Sequence, residues 1–205
     1  MTTGGEGGMF VTNDESLWKR AWAIKDHGKS YDAVFNKSHP PGFRWLHESF
    51  GTNMRMTEMQ AAIGRLQLRK LNDWNEKRTA NALKIAQALA SFAAVSVPLP
   101  DDQIRHGYYR LYAFVDNSQL ADGWDRDRVM NEIVEQGIPC FSGSCPEIYD
   151  EKAFEDAGLR PAARMPNAQA LGPRSLAFLV HPTLTGEDTD RVCAAVVNVL
   201  SQASL

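Results

Sequence analysis

The chain has 205 residues, 43% hydrophobic and 23% charged, the balance of an ordinary soluble globular protein long enough to bury one large core or two small ones. A formal net charge of −3 argues against general nucleic-acid binding, which shows as a basic excess, while leaving room for a phosphate or nucleotide held by a local cluster of Arg and His. No stretch is apolar enough to span a membrane, no charged-then-apolar signal pattern is read, and the three cysteines, Cys140, Cys145 and Cys193, suit packing thiols in a reducing cytoplasm better than a disulfide or zinc framework.

Gly4, Gly5, Gly7 and Gly8 surround Glu6 in TTGGEGGMFVTND, a density that marks a sharp turn or a close approach of backbone to something else. The loop lacks the spacing of a P-loop and precedes a strand reading, Met9 to Thr12, rather than a helix. Asn13 or Asp14 then caps a helix whose apolar face is Leu17, Trp18, Ala21, Trp22 and Ile24, closed by His27-Gly28. From Lys29 to Gly51 there is no clean period. The prolines, histidines and aromatics of SHPPGFRWLHESFG read as an ordered loop that covers or crosses something.

Thr57-Glu58-Met59-Gln60 is a capping box. The longest helical pattern in the chain follows it to about Phe92, with Met59, Ile63, Leu66, Leu71 and Trp74 on one stripe and Ala82, Ile85, Ala86 and Leu89 continuing it. Past Pro98 and Pro100 the chain alternates strand and helix. Tyr108 to Val115 reads as a strand, Asp125 to Gln136 as a helix stopped by Gly137, and Ile138 to Phe141 as a strand. Residues 142–174 look irregular, Ser175 to Val180 is a buried strand, and Thr185-x-x-Asp188 opens a last helix to about Leu200. This alternation predicts a small α/β unit with helices on one face.

Three stretches in order, TTGGEGGMFVTND, GTNMRMTEMQAAIGRLQLRKL and HGYYRLYAFV, resemble the DegT/DnrJ/StrS family of sugar aminotransferases. The resemblance implies an α/β protein of aminotransferase fold type I that uses pyridoxal 5'-phosphate (PLP). Residues 1–75 would be the C-terminal part of the large PLP domain with the start of the interdomain helix. Residues 76–205 would be the small C-terminal α/β domain. The implied activity is amino transfer, with glutamate as donor, to a nucleotide-linked keto-sugar, in a cytoplasmic homodimer serving surface polysaccharide or related amino-sugar synthesis. In that family the Schiff-base lysine lies a few residues before the TTGGEGG-type loop, so the chain is expected to be the half that follows it. The lysines here, Lys19, Lys25, Lys29, Lys37, Lys70, Lys77, Lys84 and Lys152, all fall in polar or helix-surface contexts. None reads as a replacement nucleophile. The alternative is a non-catalytic binding or dimerisation module that complements a separate N-terminal half.

The resemblance assigns Asn53 to the PLP phosphate of a neighbouring subunit, with Arg55 in support. From the residues alone, donors beside a helix start suit an anion, although Asn53 fixing a turn and Arg55 pairing with Glu58 remains open. Arg44, with Trp45 and His47, suits a sugar-linked diphosphate, or is simply a surface Arg beside a buried Trp. His106, Tyr108 and Tyr109 match the family stretch near the sugar nucleotide. As strand neighbours only one of the two tyrosines can face a ligand, and Tyr108 is taken as that one. His181 reads as a structural histidine.

Overall fold

The Asp14 carboxylate accepts the Leu17 amide at 3.0 Å and the Ser16 hydroxyl at 2.7 Å, so the first helix, α1 (Glu15–Lys25), begins where its cap predicts. It ends as the chain turns left-handed at His27 and Gly28, with φ of 60° and 86°, and the Gly28 amide returns to the Ala23 carbonyl at 2.7 Å. This computed structural model describes residues 4–205 and separates into two compact units, one ending at Leu71 and the other running Asn72–Leu205.

In the first unit, residues 29–51 form the crossing loop expected of them. The loop returns over the end of α1: Thr52 N–H donates to Ile24 O at 2.8 Å, and Met54 N–H to Lys25 O at 3.0 Å. A Cβ on Gly28 would sit 1.8 Å from the Ser49 carbonyl oxygen, so glycine is required on two counts, space and φ. The loop also contains a helix that the sequence did not reveal, α2 (Tyr31–Phe35), capped by the Ser30 hydroxyl. Five residues are too few for an apolar period to register. Trp18 and Trp22 of α1 pack edge-on against Tyr31, with ring centroids 4.7 and 5.3 Å apart.

The opening glycines run beside the start of α3 (Glu58–Leu89), where the Gln60 side-chain amide donates to the Glu6 carbonyl at 2.8 Å. Met9 to Thr12 is not a strand. A strand exists through a hydrogen-bonded neighbour, and among the described residues none pairs with it. The capping box forms as read, with Gln60 N–H donating to Thr57 Oγ1 at 3.3 Å and Thr57 N–H to Gln60 Oε1 at 3.1 Å.

The second unit is built on an antiparallel sheet of β1 (Val95–Ser96), β2 (Leu111–Val115), β3 (Cys140–Phe141) and β4 (Ser175–Phe178), in the order β1-β2-β4-β3. Leu111, Ala113 and Val115 alternate into a core shared with Ile85 and Leu89 of α3, Val129 and Ile133 of α4 (Arg126–Glu135), and Val196, Val199 and Leu200 of α7 (Gly186–Ala203). Strand β2 starts three residues later than the pattern suggests because Tyr108 has φ 41°, outside the extended region. Residues 142–174 carry two short helices, α5 (Lys152–Asp156) and α6 (Pro166–Leu171). They are tied together at buried Glu147, which accepts from the Tyr149 hydroxyl at 2.5 Å and from Arg164 Nε at 2.8 Å. No helix among the described residues is long and apolar enough to cross a membrane.

Candidate functional site

Asn53 and Arg55 lie in the turn between the crossing loop and the Thr57 cap. Asp26, the residue that ends α1, forms an isolated antiparallel bridge with Asn53. Its Oδ1 accepts from Arg55 NH1 at 3.0 Å and from Lys29 Nζ at 3.4 Å. Arg55 Nε and the Arg55 backbone N–H both donate to Asn53 Oδ1, at 3.2 and 3.4 Å, and Arg55 NH2 stands 3.4 Å from His27 Nε2. Arg55 thus pairs with Asp26, 29 positions upstream, and the Glu58 pairing left open by the sequence is not its ion pair.

The charge of this cluster favours an anion. One carboxylate, Asp26, faces two cations, Arg55 and Lys29, so the local sum is positive. Burial pushes the Asp26 carboxyl up, but the Lys29 hydrogen bond and the charges of Lys29, Arg55 and Lys25 outweigh it and hold it below its ordinary value. Asp26 is therefore ionised at neutral pH and unable to donate. Because Asn53 Oδ1 is engaged by Arg55, its Nδ2 is the donor end, on an exposed side chain. A neutral amide donor in a net-positive setting fits a phosphate dianion.

A groove of about 400 Å³ elsewhere in the same unit is lined by Lys19, Arg20, Tyr31, Asp32, Glu48 and Phe50 among others. None of the predicted site residues lines it. Its Lys19 is already neutralised by Glu15 and Asp32, each at 3.0 Å.

Arg44 is exposed, beside Phe43 and Trp45, whose rings pack edge-on at 5.1 Å, and Trp45 is 87% exposed rather than buried. His106 and Tyr108 belong to the second unit and meet each other there. Their ring centroids are 4.4 Å apart, and His106 Nδ1 accepts the Tyr108 amide at 3.1 Å, leaving Nε2 as the outward donor. Tyr108, expected on the ligand side, is instead buried, and Tyr109 is 67% exposed, so Tyr108 is the packing member of the pair. Buried Arg78 donates to the Tyr108 carbonyl at 3.2 Å. His181 Nδ1 lies 2.7 Å from the Thr183 hydroxyl, the local contact of a structural histidine.

Most of the lysines are already engaged. Lys19, Lys29, Lys37, Lys84 and Lys152 sit in ion pairs, and Lys25 lies over the Trp22 ring. An amine held as ammonium by a carboxylate is a poor nucleophile. Burial pushes the Cys140 thiol up to about 12, which keeps it protonated and inert.

The sequence model of the DegT/DnrJ/EryC1/StrS aminotransferase family matches residues 1–197. The chain belongs to this family. It is 26% identical over 192 residues to the erythromycin biosynthesis sensory transduction protein EryC1 of Saccharopolyspora erythraea, covering 94% of this chain and 47% of that protein. It is 27% identical over 201 residues to the spore coat polysaccharide biosynthesis protein SpsC of Bacillus subtilis, covering 97% and 51%. Among solved structures, the aminotransferase from Psychrobacter cryohalolentis superposes with a TM-score of 0.88 at 51% identity, over 93% of this chain and 50% of that one. The fold is that of type I PLP aminotransferases, and the family's cofactor is PLP. The chain spans about half the length of the relatives it matches.

The sequence motif singled out Asn53 and Arg55, which the structure brings together. It did not single out Asp26, whose partners become visible only when the loop crosses α1. The one signal was an acidic residue at the end of a helix, where a cation is the expected neighbour.

Proposed function

We propose that the chain is part of a PLP-dependent aminotransferase that transfers the amino group of glutamate to a nucleotide-linked keto-sugar, in a homodimer. Residues 1–75 would contribute to the large PLP domain and residues 76–205 form the small domain. The observation that carries this reading is the Asn53–Arg55 turn, with its donors held in a net-positive cluster directly before the capped start of α3, in a chain matched along nearly its whole length by an aminotransferase family.

Bound PLP supplies the electron sink that makes amino-group exchange possible. Asn53 Nδ2 donates to a phosphate oxygen of the cofactor, and Arg55 and Lys29 supply the positive field around it. His106 Nε2 and the outward Tyr109 offer a donor and an aromatic face to the sugar nucleotide, with Tyr108 seating the His106 ring, and Arg44 offers a guanidinium to the diphosphate. The amine that holds the cofactor would come from the part of the family's length that this chain does not span. The engaged state of most of its own lysines supports this, and it also favours a second reading, in which a separately encoded half provides the lysine.

The test is the half-reaction. Protein containing this chain and the lysine-bearing half, loaded with PLP and mixed with glutamate alone, should release one 2-oxoglutarate per cofactor, and a nucleotide-linked keto-sugar should then be aminated. Absence of 2-oxoglutarate with bound PLP would rule out glutamate as donor. Absence of PLP binding would sink the proposal. Activity only after mixing two separate polypeptides would select the second reading.

A further inference from the structure

We infer that Asp26 is a positioning residue of the cofactor-phosphate site, holding Arg55 and, through it, turning the Asn53 amide so that its NH2 rather than its oxygen meets the phosphate. This rests on the assignment of Asn53 to the phosphate.

Asp26 is only 7% exposed, and a carboxylate is costly to bury unless it is paired. Its place is set by backbone on both sides: His27 N–H donates to Thr52 O at 3.2 Å and Met54 N–H to Lys25 O at 3.0 Å, flanking the Asp26–Asn53 bridge. From that fixed point Asp26 Oδ1 grips Arg55 NH1 at 3.0 Å. A guanidinium is a rigid planar fork. With NH1 held there, the same guanidinium plane carries Nε to Asn53 Oδ1, 3.2 Å away.

That contact decides the amide orientation. With Oδ1 taken by Arg55, Nδ2 is presented on the other side. Released from Asp26, Arg55 swings toward solvent, Asn53 Oδ1 keeps only the longer bond from the Arg55 backbone N–H at 3.4 Å, and the amide turns its oxygen lone pairs toward the anion more often, where they repel it. The roles within the cluster are therefore unequal. Asn53 makes the contact, Arg55 sets its orientation, and Asp26 fixes Arg55.

Coulomb attraction alone predicts the opposite sign, which makes the inference testable. Asp26→Asn removes a negative charge from the neighbourhood of an anion site, so a purely electrostatic role predicts tighter PLP binding. The positioning role predicts weaker binding, by about tenfold, the value of one lost oriented hydrogen bond. PLP affinity and the 31P resonance of the bound phosphate should be measured in the PLP-binding protein for the unsubstituted chain, Asp26→Asn, Arg55→Lys and Asn53→Ala. Arg55→Lys keeps the ion pair with Asp26 but lacks Nε, so it should weaken PLP and move the 31P resonance as Asp26→Asn does, even if Asp26→Asn itself folds poorly. In the chain alone, solvent exchange of the Arg55 Nε–H should speed up in Asp26→Asn. If Asn53→Ala binds PLP normally, the phosphate assignment fails. If Asn53→Ala weakens PLP while Arg55→Lys and Asp26→Asn leave it unchanged or tighter, the assignment survives and the role given to Asp26 is wrong.

Discussion

Gly28 shows how much of the site depends on single residues. Its φ of 86° and the 1.8 Å approach of Ser49 O to a hypothetical Cβ let the crossing loop lie on the end of α1, and the Asp26–Asn53 bridge depends on that crossing. Gly28→Ala is expected to destabilise the first unit by more than about 2 kcal/mol, since it combines left-handed strain with a backbone clash. Urea unfolding checks this, and an unchanged midpoint would show that the loop can lift away cheaply. Asn53 and the glycine stop were legible in the sequence because each belongs to a short local pattern. The Asp26–Arg55 pair was not, because 29 positions separate its members and only the folded crossing brings them together. Tyr108 and Tyr109 do have opposite exposures, but not as strand neighbours, because β2 begins only at Leu111. Tyr108, the one that turns inward, has a left-handed backbone, a property that sequence alternation does not carry.

Helix starts were the most legible elements, since the caps at Asp14, Thr57 and Thr185 all form with the expected hydrogen bonds. A cap is a local interaction of residues three apart, so the sequence contains all of it. Residues 142–174 were opaque for the opposite reason. Their organising contact, Glu147 with Arg164 and Tyr149, replaces hydrophobic periodicity with an ionic hub. The Arg164 and Tyr149 hydrogen bonds, opposed by burial, hold the Glu147 carboxyl below its ordinary 4.5. A depressed carboxyl pKa stabilises the fold above the unfolded value, and that stabilisation is lost as pH falls through the folded value. The segment should therefore stay ordered at neutral pH and loosen only below about pH 4.5. Amide hydrogen exchange across 142–174 reads this directly. Glu147→Gln should already be loose at pH 7 and show no further acid transition, whereas an acid transition retained in that variant would place the titrating group elsewhere.

At the scale of the whole molecule, the apolar stripe of α3 divides in two. Ala82, Ile85, Ala86 and Leu89 are buried in the core of the second unit, but Met59, Ile63 and Leu66 are 77%, 48% and 57% exposed, as are Met9 and Val11 at 83% and 81%. Helical periodicity revealed that the stripe exists but not how far its cover extends, because cover is supplied by other parts of a fold. Apolar surface of this kind associates. The isolated chain should sediment as oligomers, and a monodisperse monomer that melts cooperatively would show that these side chains need no partner.

The central claim is that this chain lends Asn53 to a PLP site whose lysine belongs to another subunit. Subunit mixing tests it most directly. One set of subunits contains this chain with Asn53→Ala and an intact lysine-bearing half, and the other keeps Asn53 but lacks the lysine. Each is assayed alone and after mixing, at a PLP concentration that leaves the Asn53→Ala homodimer mostly empty. In a mixed dimer the lysine-bearing subunit receives a normal asparagine from its neighbour, so one site is complete and activity should reappear on mixing. If heterodimers demonstrably form and activity does not return, Asn53 serves its own subunit or no cofactor at all, and the assignment is wrong.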